Sequence, residues 1–334
     1  MSTHPEPLQT GKPNQQIFAD TLLAFAEADP SILVVTSDSR GSGRLVAFGE
    51  KLPRQIVEMG IAEQNLVGVA AGLAAAGKRV FAVSPACFLT ARSFEQIKND
   101  VAYSNQPVRL VGISAGISYG ALGATHHSLH DFAALLAVNN IDIVAPADNL
   151  ETQAVVAAAL RHPRPLYIRL GKKAMPTLHA PGVQVEIGKA LWLRCGADLT
   201  FLANGETVAP AVEAAAQLAG EGIDAGVLSV HSLRPLDTAA VLEAAQDSRA
   251  LITVEEHSVN GGLGSLVASL LMQRGVFRPL RIMGIPDEYC YTGSQGEIFA
   301  HYGISRSGLA AAAHQLLAGT EPVLTGPSLS VAGH

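Results

Sequence analysis

Charged residues are scarce in this chain of 334 residues: they make up 16% of the sequence, whereas hydrophobic residues make up 48%. The formal net charge is -6 and no run of lysine or arginine stands out, which argues against nucleic acid and membrane surfaces as partners. No apolar run reaches the roughly 20 residues that a membrane-spanning helix requires. The polar N-terminus lacks the apolar core of a signal peptide. A chain this apolar is expected to bury large surfaces, including one against another chain.

Cysteine is rare as well. Cys87, Cys195 and Cys290 are widely separated and show no metal-ligand spacing. We interpret them as reduced thiols of a cytoplasmic protein. The chain is longer than one small core usually allows, which predicts two domains.

Helix-like and strand-like segments alternate in the first half of the chain. Short apolar runs of the kind buried in parallel sheets predict strands at 32–36, 80–83, 108–113, 141–144 and 166–170. Helices are predicted at 16–27, 63–76 and 149–160. This order predicts an α/β domain over residues 14–175, built on a doubly wound parallel sheet.

A second alternation follows a stretch rich in turn residues. Residues 176–188 contain two prolines and two glycines and are predicted to link two domains. Beyond them, strands are expected at 199–203, 225–230 and 251–254, and helices at 209–219, 239–245, 262–271 and 305–317. These elements predict a smaller α/β domain over residues 189–320. Residues 1–13 and 321–334 are expected to be tails, the first of them disordered.

Three residues of the first predicted domain are candidates for chemistry. Glu63 begins a helix shortly after Gly60. It is either a carboxylate that the helix N-terminus favours or a buried proton-relay group. Phe88 and Arg92 follow the strand at 80–83, at the edge where open α/β sheets bind ligands. Arg92 is equally suited to a surface ion pair.

A loop with two glycines leads into a group of histidines, in the string Gly120-Ala-Leu-Gly-Ala-Thr-His-His-Ser-Leu-His130. Adjacent histidines after a glycine-rich turn modestly favour a ligand site, whereas a metal site lacks the further ligands it requires. Lys172 and Lys173 follow the strand at 166–170, where they form either an anion site or a solvated basic edge. The glycines of residues 255–264 suggest a phosphate loop, but close helix packing explains them better.

Five strings in this order resemble the C-terminal half of the transketolase family, over about residues 15–318. They are GIAEQN, F-x-x-x-R-x-[YF]-[DE]-Q-I, G-x-T-H, YIRL and EEHSVxGGLGS. The resemblance implies a pyrimidine-binding domain and a transketolase C-terminal domain. The family binds thiamine diphosphate between its pyrimidine-binding domain and a diphosphate-binding domain marked by G-D-G, which does not occur here. We therefore expect a split enzyme, with the diphosphate and Mg²⁺ ligands on a separate N-terminal-type subunit in an α2β2 assembly.

The resemblance assigns cofactor-binding or catalytic roles to four residues. Glu63 corresponds to the glutamate that hydrogen-bonds to N1′ of the cofactor pyrimidine and so promotes loss of the thiazolium C2 proton. Phe88 corresponds to the aromatic ring that stacks on the pyrimidine, and Arg92 lies in the same cofactor-contacting string. His126 corresponds to the histidine that faces the reactive centre. Glu63 and His126 are thus the expected catalytic residues.

The resemblance also assigns substrate-binding positions, several of which depart from the family pattern. Leu122 replaces an aspartate that recognises a substrate hydroxyl, and Ser114 replaces a phosphate-contacting histidine. Gln15 lies near the position at which the family has an N-terminal phosphate-binding arginine. Lys172 replaces another phosphate-binding arginine of the family, and its ammonium is a point charge whereas a guanidinium is a planar fork of donors. The expected substrate-binding residues are Asp38, Ser42, Ser114, Leu122, His127 (in place of the usual glutamine) and Lys172.

The implied reaction is transfer of a two-carbon ketol unit from a ketose-type donor to an aldehyde acceptor. The altered positions predict a donor that is less polar near its carbinol carbons than a common sugar phosphate. One alternative is a subunit of a 2-oxo acid decarboxylating enzyme, of the dehydrogenase β type or similar to 1-deoxyxylulose-5-phosphate synthase. Another is a non-catalytic scaffold or regulatory subunit. Retention of Glu63, Phe88 and His126 argues against the latter, because a buried carboxylate without a function is costly.

Overall fold

The computed structural model of the protein describes residues 8–319. Its strands are β1 (Thr10–Pro13), β2 (Ile32–Thr36), β3 (Ile56–Glu58), β4 (Arg79–Pro85), β5 (Arg109–Ile113), β6 (Asp142–Val144), β7 (Leu166–Arg169), β8 (Ala174–Pro176), β9 (Leu191–Arg194), β10 (Leu199–Ala203), β11 (Ala225–Ser229), β12 (Ser232–Arg234), β13 (Ala250–Ser258) and β14 (Leu280–Ile285). They form a seven-stranded, a five-stranded and a two-stranded sheet.

The helices lie mainly between the strands. They are α1 (Asn14–Ala28), α2 (Val46–Lys51), α3 (Glu63–Ala75), α4 (Ala86–Arg92), α5 (Phe94–Gln96), α6 (Asp131–Leu136), α7 (Asn149–Ala159), α8 (Val208–Gly220), α9 (Thr238–Asp247), α10 (Leu263–Gln273), α11 (Gln295–His301) and α12 (Arg306–Leu317). A π-helical segment, Ile97–Tyr103, continues α5. Among residues 8–319, no helix combines the length and the apolar character that crossing a membrane demands.

The larger sheet has the strand order β12-β6-β7-β5-β4-β2-β3 and is parallel except for β12. Successive residues of β4 enter different cores. Val80 packs with Leu66 of α3, whereas Phe81 packs with Phe18 of α1. This alternation places helices on both faces of the sheet, as the period of a strand requires. The predicted doubly wound parallel-sheet domain is confirmed.

The smaller sheet has the order β14-β13-β10-β11-β9, with only β9 antiparallel among the described strands. Phe201 of β10 packs in the core that α8 and α12 cover, and Leu202 packs in the core that α9 and α10 cover. The second α/β domain is therefore confirmed as a class. One of its chain segments, β12, crosses over to pair with β6 at the edge of the first sheet.

The prediction of a disordered tail over residues 1–13 is wrong for residues 10–13. β1 pairs with β8 in an antiparallel ladder, with Thr10 opposite Pro176. The Asn149 side chain holds β1 from its other side: its Oδ1 accepts the Lys12 N–H at 2.8 Å, and its Nδ2 donates to the Lys12 carbonyl at 2.8 Å. These partners are distant in sequence, which is why local composition did not reveal the strand. Residues 1–7 and the predicted tail at 321–334 lie outside the described residues.

The segment between the domains is fixed by buried contacts. Asp148 caps the start of α7 by accepting the Glu151 N–H, and its second oxygen accepts the N–H groups of Leu178 and His179 at 2.9 and 3.0 Å. The His179 ring is buried, and its Nδ1 lies 3.1 Å from the same carboxylate. Residues 177–188 form no helix or strand, but these contacts tie them to the first domain.

Candidate active site

Glu63 stands at the first position of α3, and its side chain is almost fully buried, with 5% exposure. Arg92 Nη1 donates to both carboxylate oxygens, at 3.2 and 3.4 Å. The turn before α3 contains Gly60, whose φ of 69° lies in the left-handed region that glycine tolerates. A cleft of about 570 Å³ opens beside the carboxylate and is lined by Arg92 and residues 61–65. Glu63 is thus a buried acid that faces a cleft.

Phe88 and Arg92 both lie on α4, which follows β4 without a loop. They are four residues apart and therefore share one face of the helix. The Arg92 guanidinium lies 4.6 Å from the centroid of the half-buried Phe88 ring, a cation–π contact. Glu63, Arg92 and Phe88 consequently form one continuous surface.

His126 extends this surface from the end of the loop of residues 114–127, here called the substrate loop because the family resemblance predicts substrate contacts in it. Its ring meets Phe88 edge-on at 5.3 Å between centroids, and Tyr119 edge-on at 5.5 Å. The His126 N–H donates to the Gly123 carbonyl at 3.0 Å, and its Nδ1 lies 3.0 Å from the Thr125 hydroxyl. Lys172 Nζ lies 5.2 Å from the centre of the Tyr119 ring. A chain of contacts therefore runs from Glu63 through Phe88 and His126 to Lys172.

Tyr119 is a member of this site that the sequence analysis missed. Its hydroxyl lies near the side chains of Ser114 and Ser42, and its ring contacts His126 and Lys172. Burial raises the pKa of the Tyr119 hydroxyl, which keeps it a neutral donor. The only sequence signal was an aromatic residue immediately before the Gly120 turn.

Ser114 and Gln15 lie buried behind Tyr119 and satisfy each other. With its amide oxygen towards Ser114, Gln15 accepts the Ser114 N–H and hydroxyl, each at 2.8 Å, and donates to the Ser42 carbonyl at 3.0 Å. Asp38 and Ser42 are exposed at the carboxyl end of β2. The φ angles of Ser114 and Asp38 are 51° and 50°, so both residues hold left-handed backbone immediately beyond strands. Such strain is concentrated at functional sites in proteins.

The remaining two predicted substrate residues point in different directions. Leu122 is 56% exposed on a 3₁₀ turn between Gly120 and Gly123, whose φ angles are 47° and 73°. His127 is buried, and its Nε2 donates to the Gly120 carbonyl at 2.9 Å in the tautomer that satisfies both atoms. Burial lowers the pKa of His127, which favours the neutral ring. The structure thus places Leu122 towards the open side of the loop, whereas His127 holds the loop from inside.

Residues 8–319 contain no group of three or more His, Cys, Asp or Glu side chains arranged to bind a metal ion. The titratable cluster nearest the site instead joins the two domains. It contains Asp131, Arg169, Glu206 and Glu256, all of them buried. Sequence analysis did not single out these four residues.

Comparison with known proteins places both domains in one family. Residues 12–177 match the family model of the transketolase pyrimidine binding domain, and residues 188–309 match that of the transketolase C-terminal domain. A subunit of an apulose-4-phosphate transketolase from Phocaeicola vulgatus is 48% identical over 293 residues, which cover 87% of this chain and 93% of the relative. A 6-deoxy-6-sulfo-D-fructose transketolase subunit from a Clostridium species is 35% identical over 299 residues, with coverage of 90% and 92%.

A solved structure described as a split gene transketolase, an inactive beta4 tetramer, superposes with a TM-score of 0.83. It is 34% identical in sequence, and the match covers 93% of this chain and all of the other. The chain therefore belongs to the transketolase family. It is a transketolase-type transferase subunit that carries the pyrimidine-binding and C-terminal domains, and the resemblance inferred from the five strings is confirmed.

Proposed function

We propose that this chain forms the pyrimidine-binding side of a thiamine-diphosphate active site that transfers a two-carbon ketol unit from a ketose to an aldehyde. The observation that carries this proposal is the unbroken contact chain from buried Glu63 through Arg92 and Phe88 to His126. It joins a proton-handling carboxylate, an apolar ring face and a histidine in one series of contacts. A scaffold subunit has no need of such an arrangement.

The residues present fit an aminopyrimidine ring. The Glu63 carboxylate can share a proton with a ring nitrogen, and the half-buried Phe88 ring offers a flat apolar face. Arg92 occupies both carboxylate oxygens of Glu63, so a ring nitrogen must compete with this ion pair. We assign Arg92 the role of holding Glu63 in place until the cofactor arrives.

Bound thiamine diphosphate supplies the nucleophilic carbon and the electron sink for the reaction. Glu63 holds the proton at the pyrimidine nitrogen. His126, at the far edge of Phe88, donates a hydrogen bond or a proton to the oxygen of the donor carbonyl. Tyr119 orients the His126 ring, and exposed Lys172 attracts an anionic group at the distal end of the substrate.

We further propose that the diphosphate and Mg²⁺ bind to a separate subunit, in a cytoplasmic α2β2 assembly. The relatives named as subunits support a partner chain, and the split gene transketolase shows that a chain of this length and fold exists as a separate polypeptide. The exposed rim around Glu63, which includes Ile61 at 74% exposure, is a suitable surface for that partner.

The proposed donor is a modified ketose with an anionic end. Leu122 cannot accept a hydrogen bond and is exposed in the loop, so a hydroxyl facing it would lose a water partner without replacement. Ser114 and Gln15 are neutral, which leaves Lys172 as the cation that contacts Tyr119. Two relatives are named for apulose 4-phosphate and for a sulfonated deoxyfructose, both of them modified ketoses.

The test is a reconstituted complex of this chain with its partner subunit, thiamine diphosphate and Mg²⁺, supplied with a ketose donor and an aldehyde acceptor. Mass spectrometry should detect a product two carbons longer than the acceptor, without release of carbon dioxide. Carbon dioxide release from a 2-oxo acid donor would instead favour the decarboxylating alternative. Turnover by the partner subunit alone at the rate of the whole complex would favour a scaffold.

A further inference from the structure

The C-terminal domain contacts the substrate loop through the buried carboxylate of Glu256 on β13. Glu256 Oε1 accepts the N–H of Ile117 at 3.0 Å, close to where the substrate loop begins. The residue before it, Gly116, packs so tightly on the Glu256 carboxyl group that a Cβ there would overlap it. Because His126 and Tyr119 belong to the same loop, their positions depend on this contact.

A second carboxylate holds the other substrate-facing segment in the same way. Glu206 packs against Gly171, where a Cβ would again overlap the carboxyl group, and Gly171 directly precedes Lys172. The Gln295 amide joins the two carboxylates by donating to Glu256 Oε1 at 2.6 Å and to Glu206 Oε2. Gln295 is the first residue of α11 and is itself buried.

The charges of this cluster do not balance if both carboxylates are ionised. Arg169 is the buried cation, and it pairs first with Asp131, at 2.8 Å from Nε to Oδ2. Its distance to Glu256 is longer, 3.7 Å. Lys173 faces Glu206 but is exposed to solvent, and the Cys290 thiol also faces Glu256. One oxygen of each glutamate, Glu206 Oε1 and Glu256 Oε2, has no hydrogen-bond partner among the described residues.

A proton held by one of the two glutamates reduces this imbalance. Burial raises the pKa of Glu206. Burial and then the neighbouring charge of Glu206 raise the pKa of Glu256 to about 8. Near neutral pH the pair therefore retains a proton, and above about pH 8 it loses that proton and the two carboxylates repel each other.

We propose that Glu256, Glu206 and Gln295 of the C-terminal domain are positioning residues that set the geometry of donor binding, although none of them lies in the cleft. They fix the substrate loop at Gly116 and Ile117, and the Lys172 segment at Gly171. This inference rests on the proposed function for its effect on kinetics, but its effect on the substrate loop does not depend on the reaction.

The sign of the pH effect follows from the raised pKa of Glu256. In the closed arrangement, Glu256 packs against Gly116 and Ile117; in an opened arrangement this contact is lost. An acid whose pKa is raised in the closed arrangement holds its proton more tightly there than in the opened one. The closed arrangement is therefore favoured at low pH and loses stability as the pH rises towards the raised pKa of about 8. We expect the substrate loop to loosen at alkaline pH, with weaker donor binding as the result.

The kinetic test compares wild type with Glu256→Gln in the reconstituted complex between about pH 7 and about pH 9.5. The amide of the variant can accept the Ile117 N–H but does not ionise. We expect the wild-type KM for the ketose donor to rise about tenfold over this range while kcat changes less than about twofold. The reason is that the population of an arrangement that must retain one proton falls by up to tenfold per pH unit. The KM of Glu256→Gln should remain within about twofold. An equal rise in both proteins would overturn the proposal.

A second measurement separates this inference from the proposed function. Hydrogen–deuterium exchange of residues 116–127 in the complex, corrected for intrinsic rates, should show lower protection at about pH 9 than at about pH 7 in wild type. The loss should be absent in Glu256→Gln and in Glu206→Gln, either of which serves if the other fails to fold. Glu243→Gln, an exposed site on α9, should behave as wild type. An identical loss in all variants would refute the positioning role, whereas a complex inactive with every ketose at pH 7 would refute only the proposed function.

Discussion

The part of the candidate site proposed to face the cofactor and the part proposed to face the substrate are built in different ways. Glu63, Phe88 and Arg92 occupy helices that begin at or just after strands, so regular backbone hydrogen bonds fix their positions. The substrate loop instead depends on left-handed residues and on single contacts, such as that between His127 and the Gly120 carbonyl. Helix-borne groups tolerate little variation in position, whereas a loop can change its side chains without disturbing the sheet.

This difference matches the way the sequence departs from its family. By the resemblance inferred from the sequence, the strings that contain Glu63, Phe88 and Arg92 retain the family pattern. The inferred departures lie in or against the substrate loop: Gln15, Ser114, Leu122, His127 and Lys172. This contrast supports the proposal that a common chemical step is separated from a variable choice of donor. Substitutions at Glu63, Phe88 or Arg92 should lower the activity with every donor equally. Substitutions in the substrate loop should change the activity with some donors more than with others.

The largest effect is expected from Glu63→Gln in the reconstituted complex. Removing the acid should lower kcat by roughly 10²- to 10⁴-fold for every donor, which is the usual range for a lost acid–base group. Deuterium exchange at C2 of the cofactor, measured beside size-exclusion chromatography, separates lost chemistry from lost assembly. The matched control is Glu213→Gln on α8, whose side chain is exposed. Exchange at the wild-type rate in Glu63→Gln would remove the assigned role.

Much of the fold could be predicted because buried parallel strands have a clear sequence signature. The run Ile32–Thr36 was predicted with the bounds that β2 has. β3 was missed because it has only three residues and ends in Glu58. That carboxylate accepts the Asp38 N–H at 2.6 Å and pairs with Arg40 at 3.2 Å. β12 was missed because Ser232–Arg234 gains its pairing from β6, in the other domain.

The candidate site likewise contains residues that have a local sequence pattern and residues that depend on partners distant in sequence. Glu63, Phe88 and His126 could be predicted because each belongs to a short string with fixed spacing. The contact between Gln15 and Ser114 spans 99 positions, and the burial of His127 depends on the turn at Gly120. Neither feature leaves a local pattern. The interdomain carboxylates were missed for the same reason, since Glu206 and Glu256 become neighbours only when the second sheet forms.

A smaller, donor-dependent effect is expected from Leu122→Asp. The introduced carboxylate can accept a hydrogen bond from a polyol, and one such satisfied group is worth about 1–3 kcal/mol, or roughly 5- to 150-fold in specificity. We expect the ratio of kcat/KM for xylulose 5-phosphate to that for a deoxy or unphosphorylated ketose to rise by this factor. Leu122→Asn provides the uncharged comparison, and cofactor C2 exchange should stay unchanged in both. If wild type already uses xylulose 5-phosphate with ordinary transketolase efficiency, Leu122 does not select the donor.

The smallest effect is expected from protonation of His127 at acid pH. Measuring it tests whether a neutral His127 ring holds the substrate loop. Burial lowers the pKa of His127 from its usual value of 6.5, so the closed loop resists a proton that an opened loop accepts. The stabilisation is therefore fully present above that usual pKa and is lost as the pH falls below it. We expect kcat/KM for the donor to fall about threefold to tenfold between about pH 7 and about pH 5.5, within the tenfold per pH unit that one titrating group allows.

His127→Gln isolates this effect because its amide can donate to the Gly120 carbonyl at any pH. The variant should match wild type at about pH 7 and lose the acid-dependent fall, while Glu63-dependent C2 exchange keeps its own pH profile. Hydrogen exchange of residues 120–126 gives the same comparison without turnover. If kcat/KM and hydrogen-exchange protection fall at acid pH in His127→Gln as they do in wild type, the acid sensitivity arises at another group. The contrast between a rigid cofactor side and an adjustable substrate loop would then rest on Leu122 alone.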